Sequence, residues 1–101
     1  MAAPTKLGEK QIETALRALP GWSVKDGKLH RDLRFADFSA AFAFMTRVAL
    51  AAEKRDHHPE WSNVWNRVSI DLATHESSGI TERDIALAQV IQELAGESGS
   101  A

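Results

Sequence analysis

The chain has 101 residues, 44% hydrophobic and 26% charged, ordinary values for one globular domain with a single core. Twelve Lys+Arg against fourteen Asp+Glu leave a net charge of −2, so no global field directs the chain to nucleic acid or an anionic membrane surface. With no cysteine, disulfides, a thiolate nucleophile and thiolate-bound metal are excluded. No apolar run reads as a signal peptide or a membrane span. The expectation is one domain over 1–101, soluble and cytoplasmic (nuclear also, in a eukaryote), with 1–6 and 97–101 as loose tails.

From Gly8 to Leu19, the residues Ile12, Ala15, Leu16 and Leu19 fall at i, i+3, i+4 and i+7, which predicts a surface helix. Gly8 serves as its N-cap with Gln11 near N3, and Pro20-Gly21 stops it. Trp22 to Lys25 and Lys28 to Phe35 then flank Asp26-Gly27, a strong hairpin signal because both turn positions want positive φ. Trp22 and Val24 alternate before the turn and Leu29, Leu33 and Phe35 share a phase after it, one face buried and the other solvated, which leaves His30 as a solvated strand histidine with nothing nearby to tune it.

Asp37 is placed to cap a helix from Phe38 to about Arg55. Its apolar stripe reads as Phe38, Ala41, Phe42, Met45, Val48, Ala49 and Ala52, a pattern of core packing. After His57-His58-Pro59 the chain turns extended. Trp61, Asn63 and Trp65 share one phase and Val68, Ile70 and Leu72 the other, which predicts a second hairpin over 61–65 and 68–74 with its turn at Asn66-Arg67, a single long strand with a bulge being the alternative. His75 to Gly79 is a polar loop. Thr81-x-x-Asp84 opens a last helix as a capping box, with Ile85, Ala88, Ile91 and Leu94 on its apolar face and Gly96 at its end.

The fold class is therefore α+β: helix, hairpin, helix, hairpin, helix, folded as two layers, with a four-stranded antiparallel sheet and three helices on one face. Such a sheet leaves its other face and two edge strands open, which favours a homodimer or homotetramer.

The chemistry concentrates at Glu53-Lys54-Arg55-Asp56-His57-His58-Pro59-Glu60-Trp61. Imidazoles exchange protons near neutral pH without special tuning, and the second hairpin returns His75 toward the Pro59 end. Glu53, one helical turn before His57, and Asp84 are carboxylates within reach, and Trp61 with Trp65 offers aromatic walls. From spacing, three readings stay open. They are a polar connector without a role, a metal site that lacks His-Glu-x-x-His spacing, and metal-free acid–base catalysis on a planar polar substrate.

A resemblance separates them. The run Phe42-x-Phe44-Met45-Thr46-Arg47-Val48-Ala49, then Ala52-Glu53-Lys54-x-x-His57-His58-Pro59-Glu60-Trp61-x-Asn63-Val64, then Thr74-His75-Glu76-x-x-Gly79-Ile80-Thr81-x-Arg83-Asp84 resembles the pterin-4a-carbinolamine dehydratases. It is strongest over 38–94, and Trp65 stands where that family commonly has Tyr. The resemblance implies dehydration of 4a-hydroxytetrahydropterin to quinonoid dihydropterin, with no metal and no organic cofactor. It implies His57 and His75 as the acid/base pair and His58 as a positioning group. Glu53 is implied as the carboxylate behind His57, and Pro59, Trp61, Thr74, Glu76, Ser77 and Asp84 as substrate-binding residues. For Asp84, helix capping stands beside that role. The runner-up is a protein-binding module, since in animals the family doubles as a dimerisation cofactor of a homeodomain transcription factor. The implied partners are the pterin, further copies of the chain, and a transcription factor or hydroxylase, with no direct contact to nucleic acid or membrane.

Overall fold

The computed structural model describes residues 3–96; the expected tail at 97–101 lies outside the described residues, as do 1 and 2. Helix α1 (Glu9–Leu16) is followed by β1 (Ser23–Lys25), β2 (Lys28–Arg34), α2 (Phe38–Arg55), β3 (Glu60–Val64), β4 (Arg67–Leu72), a 3₁₀ turn (His75–Ser77) and α3 (Glu82–Ala95). The strands form one antiparallel sheet in the order β1-β2-β4-β3, so the α+β order of helix, hairpin, helix, hairpin, helix is the observed one.

The alternation that predicted the strands also sorts their faces. Leu29 and Leu33 of β2 and Val68, Ile70 and Leu72 of β4 point into one core with Ala41, Phe44, Val48 and Ala52 of α2 and Leu87, Ala88 and Ile91 of α3. Ile12 and Leu16 of α1 pack against the same cluster. At the first turn Asp26 and Gly27 both take positive φ, 52° and 76°, as a two-residue hairpin requires. Asn66 ties the second hairpin to the loop before α2: its carbonyl accepts from Phe35 N–H, and its side-chain amide donates to Phe35 O.

Four expectations shift. Helix α1 ends at Leu16, because the N–H groups of Arg17, Ala18 and Leu19 bond to carbonyls only three residues back, a tighter turn that tucks Leu19 into the core. The turn of the second hairpin is Trp65-Asn66, since Val64 pairs with Arg67, and it is Trp65 that takes positive φ (51°). The inward stripe of α2 holds Phe44 at 0% exposure, whereas Phe38 and Phe42 are 50% and 54% exposed. Three phenylalanines within seven positions cannot all share one face of a 3.6-residue period. The fourth is Val24, which shares the phase of buried Trp22 yet is exposed on the edge strand.

Candidate active site

Helix α2 decides where the histidines go. Asp56 adopts the left-handed conformation (φ 51°, ψ 40°) and its N–H bonds to Glu53 O, while His57 N–H reaches back to Ala52 O. This is a Schellman ending, with Lys54 and Arg55 in the last turn complementing the helix dipole. It swings His57 off the helix. Pro59 follows at once, and β3 begins at Glu60. Because β3 runs antiparallel to β4 with Glu60 opposite Asp71, the segment after β4 returns to the same end of the sheet. There Thr74 and Gly79 bridge around the turn that carries His75.

The result is an open cleft of about 480 Å³. His57, His58, Pro59, Thr74, His75 and Glu76 line it, and so do Asp56, Glu60, Ala73 and Arg83. A hollow of equal size lies on the outer sheet face among Asp32, Arg34, Ser62, Val64, Arg67 and Ser69. It holds no imidazole, so the chemistry points to the first.

Each histidine of the cleft region meets its own carboxylate through Nε2. His57 is 2.6 Å from Asp84 Oδ1, His58 2.8 Å from Glu53 Oε1, and His75 3.0 Å from Glu60 Oε1. A carboxylate only accepts, so Nε2 carries the hydrogen in His57 and His58, whose contacts have hydrogen-bond geometry, and Nδ1 is the nitrogen left for other chemistry; His75 stands at ion-pair distance from Glu60. The pairs differ in exposure. The His57 and Asp84 side chains are 11% and 0% exposed, against 54% and 81% for His58 and Glu53. At the buried pair solvent screens little, whereas at the exposed one water competes with the contact.

Asp84 does two jobs at once. Its Oδ2 accepts from Thr81 N–H and the Thr74 hydroxyl, both at 2.9 Å, completing the capping box of α3 while Oδ1 faces His57. The carboxylate behind His57 is thus Asp84, and Glu53 serves His58. The i, i+4 reach of Glu53 to His57 would need the helix to continue through 57, and it stops at Arg55.

The remaining expected site residues divide. Thr74 is buried and uses its hydroxyl on Asp84 and Thr81. Glu76 pairs with Arg83 at 2.8 Å. Ser77 donates to Pro4 O, which ties the arm before α1 to the His75 turn; Leu7 N–H does the same at Ile80 O. Trp61 faces inward opposite Ile70 and packs on the core, outside the residues lining the cleft. Trp65 stands at the other end of β3, about 16 Å away at about 3.3 Å per residue, so its departure from Tyr is remote from the histidines.

Glu60, Asp56 and Arg83 lie within the stretches quoted from the sequence, but none was given a role there. A first-in-strand position opposite the His75 segment is the signal that would have found Glu60. His30 was also misread. Its Nδ1 lies 2.9 Å from Asp71 across the sheet and its Nε2 3.0 Å from Asp32. Burial pulls its pKa down, but the bonds to the two aspartates outweigh that and the net direction is up.

Among the described residues, no group of three His, Asp or Glu side chains is arranged to hold a metal ion, and no helix is long and apolar enough to cross a membrane.

Comparisons with known proteins give the chain its family. The family model described as pterin 4 alpha carbinolamine dehydratase matches residues 5–94, a span that contains both histidine segments and Asp84. A protein of Rhizorhabdus wittichii is 58% identical over 88% of this chain and 94% of its own length. One from Solibacter usitatus is 55% identical over 90% and 96%. Both carry the name "Putative pterin-4-alpha-carbinolamine dehydratase". A crystal structure of a transcriptional coactivator/pterin dehydratase from Brucella melitensis superposes with a TM-score of 0.88 at 50% identity, over 91% of this chain and 100% of that one. A match this long, at this identity and over the whole cleft, shows that the chain belongs to the pterin 4 alpha carbinolamine dehydratase family.

Proposed function

We propose that the cleft dehydrates 4a-hydroxytetrahydropterin to quinonoid dihydropterin and water by histidine acid–base catalysis, recycling the pterin of aromatic amino acid hydroxylases. The observation that carries this is the gathering of His57, His58 and His75 at one cleft, each with its own carboxylate. The reaction breaks the C4a–O bond, with one proton delivered to the departing hydroxyl and one removed from the ring nitrogen. The proton count closes without a redox partner. A pair of imidazoles suits it: one ring gives a proton and the other takes one, work that imidazole as a side-chain type does near neutral pH.

In this reading His57 and His75 are the acid/base pair, presenting Nδ1 to the substrate. Asp84 stabilises the imidazolium of His57 and fixes its ring. His58, held by Glu53, positions the pterin, as do Pro59 and Glu76. Thr74 acts indirectly, through its hydroxyl on Asp84. No metal or organic cofactor takes part in the proposed steps.

Dehydration followed by absorbance, for the intact chain and for His57→Ala and His75→Ala, tests the assignment. Acceleration over the spontaneous rate that both variants lose, by about 10²-fold or more, supports it. A native rate equal to the spontaneous one sinks it.

One observation favours a protein–protein role in addition. Phe38 and Phe42 stand half exposed on α2 with ring centroids 5.7 Å apart, and Leu50 is exposed on the same helix. Exposed aromatics of this kind mark interaction surfaces. We read them as the contact of a homodimer or homotetramer, or of a protein partner. Sedimentation of Phe42→Asp against the native chain tests this, and an unchanged mass from a native oligomer would refute it.

A further inference from the structure

We propose that Glu60 is a positioning residue, whose carboxylate, anchored from behind by Lys28, fixes the ring of His75. The inference rests on the dehydratase reading and adds to it a part that no family motif quoted above assigns.

His75 needs an anchor. Its side chain is 79% exposed and it opens a single 3₁₀ turn, so no packing wall sets its ring. An acid or base must lie within hydrogen-bond reach and in line with the proton it moves. Glu60 supplies the constraint. Its backbone is the first residue of β3, pinned opposite Asp71, and its Oε1 meets His75 Nε2 at 3.0 Å.

The other oxygen is occupied as well. Lys28, first residue of β2, places Nζ 2.5 Å from Glu60 Oε2. Lys28 and Glu60 therefore reach each other across β4, from strands that do not pair. The bond from Lys28 holds the Glu60 carboxyl below its usual range, and Glu60 holds Lys28 above its own. The carboxylate therefore stays ionised at neutral pH. Two sheet residues thus hold an acceptor within 3.0 Å of a loop histidine's Nε2, which favours the Nε2–H form and leaves Nδ1 for the substrate. Glu60 is to His75 what buried Asp84 is to His57, with an exposed site buttressed by a cation where the buried one has its hydroxyl and amide donors.

Steady-state kinetics on the full chain test this. Glu60→Ala is expected to lower kcat about tenfold with KM within about twofold, since misplacing a catalytic group by an ångström costs up to about 10²-fold. Glu60→Gln, which keeps an acceptor oxygen, should recover to within about threefold of the native rate, and Lys28→Met should lose about threefold. The discriminating arm is His75→Ala. In that background Glu60→Ala costs nothing further, because its effect passes through the missing ring. An equal loss in both backgrounds, or no loss from Glu60→Ala alone, overturns the proposal. If the native chain fails to accelerate dehydration, the dehydratase reading falls and ring-nitrogen NMR of His75 decides the pairing. A single Nε2–H tautomer that becomes mixed in Glu60→Ala upholds Glu60 as the holder of the ring, and identical spectra refute it.

Discussion

Asp84→Asn separates the geometry of the site from its shape. The native carboxylate is fully buried and accepts three hydrogen bonds: from His57 at 2.6 Å, and from Thr81 N–H and the Thr74 hydroxyl at 2.9 Å each. Asparagine fills the same volume with one acceptor oxygen. If that oxygen stays with Thr74 and Thr81, its NH₂ group confronts the Nε2–H of His57, donor against donor. The imidazole escapes by moving its hydrogen to Nδ1. Each of the three bonds drops from the charge-assisted to the neutral range, about 1 kcal/mol apiece, so urea unfolding should place the variant about 3 kcal/mol below the native chain. With the wrong nitrogen protonated at the cleft, the dehydration rate should fall by about 10²- to 10⁴-fold. Ring-nitrogen NMR reads the tautomer directly. A variant with native stability and rate would refute the reasoning, and so would a lost rate with His57 still in its Nε2–H form.

The cluster on the outer sheet face predicts a pH dependence. His30 is raised, so its contribution to stability is complete below about pH 6.5 and is lost as pH rises through the higher folded value; Asp32, lowered first by Ser69 and then by His30, contributes above about pH 4 and loses it on acidification. His30→Gln should therefore cost more at pH 5.5 than at pH 8 by denaturant titration, and equal costs would contradict the pairing. Phe44→Ala should cost about 3–5 kcal/mol, whereas Phe42→Ala, measured on the dissociated chain, should fall within about 0.5 kcal/mol; thermal unfolding distinguishes them. At Gly21 (φ 86°) an added Cβ would collide with Arg31 Nη1, where the guanidinium of this buried arginine donates to Pro20 O. Gly21→Ala should then lose more than about 1 kcal/mol by the same titration.

What could be read in advance was local. Asp26-Gly27 names its own turn because few dipeptides accept two positive φ values, and Thr81-x-x-Asp84 names its cap because both partners lie within one helical turn. The errors arise where local rules meet long-range geometry. Glu53 seemed to reach His57 because the i, i+4 rule presumes a continuing helix, and the left-handed Asp56 ends it. Phe42 seemed to share the core because alanines on both flanks of α2 blur the apolar stripe, and only the sheet beneath decides which face is inner. His30 seemed idle because one of its two carboxylates, Asp71, is 41 residues away. Glu60 was passed over for the same reason: its partners Lys28 and His75 belong to separate segments.

The double duty of Asp84 couples the fraying of a helix end to the state of the cleft. Fraying of the first turn of α3 breaks the bond from Thr81 N–H to Asp84 and frees His57 in the same event. Hydrogen exchange at the single amide of Thr81 therefore counts the openings that disarm the site.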